Sequence, residues 1–174
     1  LSNEIIEKGV RDSLYSEIIT EKAQIMKEMN KRLRKIMVVD DDPEVLDMLD
    51  RLLSKHGFDV MTEEDPQKAL YHILKSRFQV VLSDIRMPSL SGYELARATL
   101  DEIKGTQVIL MTAYSSLEKV FDAYQIGVSD YLIKPFESIG DVVKAVESAS
   151  LRSEQWFGAV RKTLIQQREN REKC

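Results

Sequence analysis

Five short runs rich in apolar and β-branched residues, each followed by a helix-like segment, dominate the middle of this chain. The runs are KIMVV at 35–39, FDVMTE at 58–63, FQVVLS at 78–83, QVILMT at 107–112 and DYLI at 130–133. Strands separated by helical crossovers run parallel, so the alternation predicts one parallel sheet with helices on both faces. The uninterrupted VVL and VIL runs fit strands buried on both sides.

The helices between the strands are punctuated in the sequence. Asp42 caps the first, Pro43 suits its first turn and Gly57 closes it. The second opens on Asp65-Pro66. A third covers YELARATLDEI at 93–103, ahead of Gly105. The fourth spans 115–127 and closes on Gly127. Lys134-Pro135 follows the last strand.

Composition narrows the function classes. The chain has 174 residues, 43% of them hydrophobic, enough for one compact domain with helix to spare. No stretch approaches the roughly 20 apolar residues of a membrane span, and no signal-peptide pattern opens it. Leu1 stands where a full-length chain would carry Met, so a fragment or processed form is expected. The single cysteine, Cys174, cannot form an intrachain disulfide, and a cytoplasmic, reducing setting is expected. The net charge of −4 argues against direct nucleic-acid binding. His56 and His72 fall within helical patterns and read as structural or exposed.

In a parallel sheet every strand delivers its last residue to one rim, where sites form. Strand one delivers Asp40, Asp41 and Asp42; strand three delivers Asp84; strand four Thr112. Lys134 follows strand five. Taken singly, the aspartate run is a solvated helix start, Thr112 an ordinary strand residue and Lys134-Pro135 a turn. Together they put acids, a hydroxyl and an ammonium at one edge. Such oxygen ligands suit Mg²⁺, which keeps several waters and takes one or two carboxylates plus phosphate oxygens. A carboxylate there can act as a nucleophile and become an aspartyl phosphate.

The stretches VVDDDPEV, VVLSDIRMPSLSGYEL, VILMTAY and DYLIKPF, in that order, resemble the receiver domains of bacterial two-component response regulators. The resemblance covers about residues 35–150. It implies a flavodoxin-like doubly wound sheet in strand order 2-1-3-4-5, with Asp84 as phosphoacceptor. It implies Asp41 as direct Mg²⁺ ligand, Asp40 acting through a metal-bound water, and Asp84 and the Arg86 carbonyl completing the set. Thr112 and Lys134 would bind phosphoryl oxygens, and the bond before Pro135 would be cis. Tyr131 matches the aromatic that moves inward when Thr112 reorients. Arg86 and Tyr114 match positions that tune phosphate lifetime. The implied partner is a histidine kinase or phosphotransfer protein, and no turnover of a diffusible substrate is expected.

Two helical flanks complete the organisation. Residues 1–35 read as an amphipathic helix whose Tyr15, Ile19, Lys22, Met26, Met29 and Leu33 follow coiled-coil spacing, flawed at Lys22. Residues 36–150 are the receiver, and 151–174 continue its fifth helix. Val142, Val143, Val146, Ala149 and Leu151 are expected to face the sheet. Trp156, Phe157, Val160, Leu164 and Ile165 need a cover, expected from the N-terminal helix or a second chain. The leading expectation is a stand-alone regulator that self-associates through these helices. The alternative is a piece of a larger transcriptional regulator or hybrid kinase, with the helices as linkers.

Overall fold

The computed structural model describes residues 34–172, except the side chains of 164, 165 and 167–172. The proposed N-terminal helix and its seam therefore lie outside the described residues, as do the side chains of Leu164 and Ile165. The elements are β1 (Lys35–Val39), α1 (Pro43–Lys55), β2 (Asp59–Glu63), α2 (Pro66–Lys75), β3 (Val80–Asp84), α3 (Gly92–Glu102), β4 (Gln107–Thr112), α4 (Leu117–Ile126), β5 (Asp130–Ile133) and α5 (Ile139–Glu172). The five strands form one parallel sheet in the order β2-β1-β3-β4-β5, as expected.

Alternation along each strand feeds two cores. Ile36, Val38, Val80, Leu82, Ile109 and Met111 point to one face, where α1 supplies Leu46, Leu49 and Leu53 and α5 supplies Val142, Val146 and Ala149. Met37, Val39, Val81, Val108 and Leu110 point to the other, against Ala69 and Ile73 of α2, Leu95 and Ala96 of α3, and Ala123 of α4. Each fully buried leucine or isoleucine contributes about 1.5–3 kcal/mol of transfer free energy.

The helix starts lie beside the strand ends. Asp42 Oδ1 accepts the Glu44 N–H at 2.9 Å, and Asp65 Oδ1 the Gln67 N–H at 2.9 Å. Helix α3 begins earlier than Tyr93. Its cap is Ser91, whose hydroxyl accepts the Glu94 N–H while Glu94 Oε2 accepts the Ser91 N–H at 2.9 Å. The Ser91-x-x-Glu94 spacing is the sequence signal for this reciprocal cap. Gly92 is forced by a close approach: a Cβ there would lie 2.1 Å from the Asp84 carbonyl oxygen. The loop after Asp84 thus ends by laying the start of α3 directly on the strand that carries the acid.

Helix α5 runs for 34 residues, roughly 50 Å at 1.5 Å per residue. Its sheet-facing stripe departs from expectation at one end. Leu151 is 54% exposed, whereas Ser150 and Ser153 are buried. The reason is polar: near the strand starts Ser150 Oγ donates to Gln79 Oε1 at 2.7 Å, and Arg152 reaches Gln107 Oε1 and the Ser129 carbonyl. Part of the Trp156 and Phe157 surface is met from within the domain, while Trp156 stays half exposed. The domain's own α3–β4 turn meets both rings at Gly105, and the Arg77 guanidinium lies 4.6 Å from the Phe157 ring centroid.

Gly105 has φ +92°, and a Cβ on it would sit 2.5 Å from Trp156 Cδ1 and 2.7 Å from Phe157 Cζ. Gly105→Ala is expected to cost about 1–2 kcal/mol in urea denaturation, and to shift the emission of Trp156, the single tryptophan. Unchanged stability and emission would contradict this packing.

Candidate functional site

Parallel register decides which side chains meet. Val38 pairs with Leu82, and Asp84 with Met111. Asp84 therefore points to the α1/α5 face, two residues beyond Leu82, and Asp40 lies two residues beyond Val38 on the neighbouring strand. Lys134 follows β5, and its N–H donates to the Thr112 carbonyl at 2.7 Å. The Lys134–Pro135 peptide is cis.

The Lys134 ammonium bridges the two acids. Its Nζ donates to Asp40 Oδ2 at 2.5 Å and to Asp84 Oδ1 at 2.7 Å. The remaining oxygens are also held: Asp84 Oδ2 accepts the Arg86 N–H at 2.6 Å, and Asp40 Oδ1 accepts the Asp42 N–H at 3.2 Å. Asp40 is 1% exposed and Asp84 7%. Burial raises the Asp40 carboxyl above its ordinary value near 3.8; its bonds to Lys134 and Asp42 pull it back only in part, and Asp84 adds to the rise. Burial works against the Lys134 ammonium, but its bonds to Asp40 and Asp84 prevail and hold it above its ordinary 10.5.

The other residues expected at this rim fall into two groups. Asp41 is exposed, and its carboxylate makes no hydrogen bond or ion pair with the described residues. It stands beside the buried pair with a free oxygen donor set. Thr112 is buried at the end of β4, but its hydroxyl is turned to its own loop. It accepts the Tyr114 N–H at 3.1 Å and donates to the Tyr114 carbonyl at 3.3 Å. Arg86 carries its guanidinium 3.7 Å from the Tyr114 ring centroid, a cation–π stack.

Tyr131 lies on the opposite sheet face. It pairs with Leu110, two residues before Thr112, so Tyr131 and Thr112 share a face of adjacent strands. The Tyr131 hydroxyl is sealed from solvent and makes no hydrogen bond. Tyr93, a first-turn residue of α3 packed against the same core, donates to the Lys119 carbonyl at 2.9 Å. Burial, then the nearby Tyr131, raises the Tyr93 hydroxyl well above the usual phenol range. Reading the sequence alone gave Tyr93 no role; its place two residues after the Ser91 cap was the available signal.

The donor chemistry of the rim fits a hard divalent cation such as Mg²⁺. Carboxylates of Asp40, Asp41 and Asp84 and the Arg86 carbonyl supply only oxygen. Among the described residues no three acidic, histidine or cysteine side chains close into a cage, and Lys134 bonds one oxygen each of Asp40 and Asp84. That openness suits a cation that retains its waters. An apolar hollow formed by Val45, Met48, Phe136 and Ile139 adjoins Lys134 and Tyr114.

Comparison with known proteins bears on this geometry. The family model described as the response regulator receiver domain matches residues 36–147. The chain is 39% identical over 114 residues to the DNA-binding transcriptional regulator NtrC of Salmonella typhimurium, covering 66% of this chain and 24% of that protein. It is 40% identical over 106 residues to the transcriptional regulatory protein ZraR of Escherichia coli, covering 59% and 23%. The chain thus spans about a quarter of the length of these relatives. Among solved structures it is similar to the chemotaxis protein CheY4 of Vibrio cholerae, with TM-score 0.62 and 30% identity, covering 66% of this chain and 97% of that one. It is also similar to the BeF3-activated DrrB receiver domain, with TM-score 0.61 and 32% identity, covering 66% and 95%.

The raised Asp40 carboxyl has a stability signature. Because folding favours its protonated form, its contribution is fully present below about pH 3.8 and is lost as pH rises through its raised value. Lys134 contributes fully below 10.5 and loses its contribution only above that, as pH passes its raised value. In metal-free buffer, the unfolding free energy of the wild type minus that of Asp40→Asn is expected to fall as pH rises across the mildly acid range. A flat or rising difference would contradict the assignment.

Proposed function

This chain belongs to the response regulator receiver domain family, and on that premise we propose that Asp84 accepts a phosphoryl group from a histidine kinase or phosphotransfer protein in a Mg²⁺-dependent reaction. The observation that carries the reading is the double hold on Asp84, ammonium on one oxygen and Arg86 amide on the other. That hold fixes the orientation of the carboxylate at the rim. An Asp84 oxygen attacks phosphorus, the phosphorus–nitrogen bond of the donor breaks, and the acyl phosphate forms as the imidazole leaves. Asp40, Asp41, Asp84 and the Arg86 carbonyl would hold Mg²⁺, which when bound supplies positive charge for the equatorial oxygens. Lys134 offers a second positive group, already within hydrogen-bond distance of the acceptor. Receiver domains are signalling domains, and the event here is self-modification followed by hydrolysis. The Arg86–Tyr114 stack stands beside the acceptor, where it limits the approach of water and so tunes phosphate lifetime.

The output follows from the Thr112 hydroxyl. A new phosphoryl group draws it from the Tyr114 backbone, and the vacated space is open to the Tyr131 ring, which shifts a pre-existing equilibrium between two packings of that ring. The surface so biased comprises α4, β5 and α5. It exposes Leu117, Phe121, Tyr124 and Ile133, an apolar set suited to protein contacts. The apolar hollow beside Lys134 offers the phosphodonor protein a seat next to Asp84. In this reading 36–150 is the receiver unit and the flanking helices change their association on phosphorylation, with a homodimer as the simplest form.

A second reading is favoured by the relatives, which are about four times longer than the matched region. There the receiver serves a larger transcriptional regulator, DNA binding is performed by that whole protein, and the flanks are linkers. The full reading frame distinguishes the two. No helix among the described residues is long and apolar enough to cross a membrane.

Two measurements test the reading. With Mg²⁺ and acetyl phosphate, the wild type is expected to incorporate phosphate, Asp84→Asn none, and Lys134→Ala about tenfold less or lower still. Incorporation unchanged in Asp84→Asn removes Asp84 as acceptor. By light scattering, beryllofluoride with Mg²⁺ is expected to change mass or shape; identical values in both states count against switched association.

A further inference from the structure

Helix α4 breaks, in its first turn, a rule that α3 obeys. Both helices open on a serine cap, Ser91 and Ser116. Three residues past its cap α3 carries Glu94, which completes the reciprocal cap. Helix α4 carries Lys119 at that place, and a cation in a first turn opposes the helix dipole. The Lys119 side chain is nevertheless half-buried, whereas residues 113–118 and 120 are exposed. Its ammonium turns back over the cap, and Nζ donates to the Tyr114 carbonyl at 3.5 Å. The same oxygen accepts the Thr112 hydroxyl at 3.3 Å.

One carbonyl thus faces two donors, and the proposed switch removes one of them. We infer that Lys119 is a positioning residue of the switch: its ammonium holds the Tyr114 carbonyl, and with it the β4–α4 loop, once the Thr112 hydroxyl has turned to the phosphoryl group. At 3.3 and 3.5 Å both bonds to the shared oxygen are long. Departure of the hydroxyl leaves the oxygen to the charged donor, the stronger kind. The bond that Thr112 gives up is thereby offset, and the resting arrangement loses part of its advantage. The Lys119 backbone is anchored for this task. Its carbonyl accepts the Tyr93 hydroxyl at 2.9 Å from α3, and its N–H donates to Ser116 Oγ at 3.4 Å. Arg86 stacks on the ring of the same Tyr114, so one cation meets its ring and another its carbonyl. Lys119 acts through Tyr114 and Thr112, not on the reacting atoms.

The inference rests on the proposed turn of Thr112 toward the phosphoryl group, and the test separates the two. Beryllofluoride affinity at saturating Mg²⁺ is measured by calorimetry in the wild type, Lys119→Met, Thr112→Val and the double variant. Thr112→Val is expected to weaken binding. Lys119→Met is expected to weaken it about three- to tenfold when Thr112 is present. In the Thr112→Val background no hydroxyl leaves the carbonyl, so the same change is expected to alter binding less than about twofold. Equal weakening in both backgrounds marks a general attraction of Lys119 for the anion. No weakening in either marks a carbonyl served by water. Each of these results overturns the inference and leaves the switch reading standing. Wild-type binding that Thr112→Val does not alter overturns the switch reading, and this inference with it. Thermal melts establish that each variant is folded; should Lys119→Met not fold, Lys119→Ala, with the highest helix propensity, takes its place on the same terms.

Discussion

The structure depends on one electrostatic constraint, the placing of two nearly buried carboxylates side by side. Two carboxylates removed from water side by side are costly unless a positive group lies between them. Lys134 fills that position from a third strand. The requirement accounts for several features at once. The parallel sheet must bring β1, β3 and β5 to a common rim, and α3 must start hard against Asp84 at Gly92. The same parallel topology turns helix N-termini toward this rim, where their partial positive charge favours acids. Burial nevertheless outweighs these bonds at Asp40, whose carboxyl stays above its ordinary value.

The fold was largely legible in the sequence because its signals are local. Asp42-Pro43, Asp65-Pro66, Gly57 and Gly127 mark helix ends by capping chemistry and left-handed backbone, and these positions behave as their residue types require. The rim was legible for a different reason: strand-end residues of a parallel sheet share an edge whatever their sequence separation. What could not be read was side-chain direction set by tertiary contacts. Leu151 looked like a core residue by helical spacing, yet the helix phase is fixed by Ser150 and Arg152 bonding to Gln79, Gln107 and Ser129 on distant strands. Trp156 and Phe157 seemed to need a foreign cover, and a glycine with positive φ at the α3–β4 turn supplies part of it.

In the proposed function the two sheet faces divide the labour between chemistry and response. Asp40 and Asp84 belong to the α1/α5 face; Thr112 and Tyr131 belong to the α2–α4 face. Thr112 is the link, since its backbone carbonyl accepts from Lys134 while its hydroxyl is held by the Tyr114 amide. In the proposed switch, a change of charge at Asp84 reaches the other face through rotation of one short side chain. Helix α5 packs on the chemical face and extends well past the sheet, so its continuation is placed to carry any rearrangement away from the rim.

The account stands on Asp84 being the atom donor to phosphorus, and the most direct measurement locates the phosphoryl group itself. Protein phosphorylated by a small donor in the presence of Mg²⁺ is reduced with borohydride, which converts an acyl phosphate of aspartate to homoserine, and the peptides are sequenced by mass spectrometry. The account predicts homoserine at position 84 alone. Homoserine at 40 or 41, or at no position in protein shown to carry label, would contradict it.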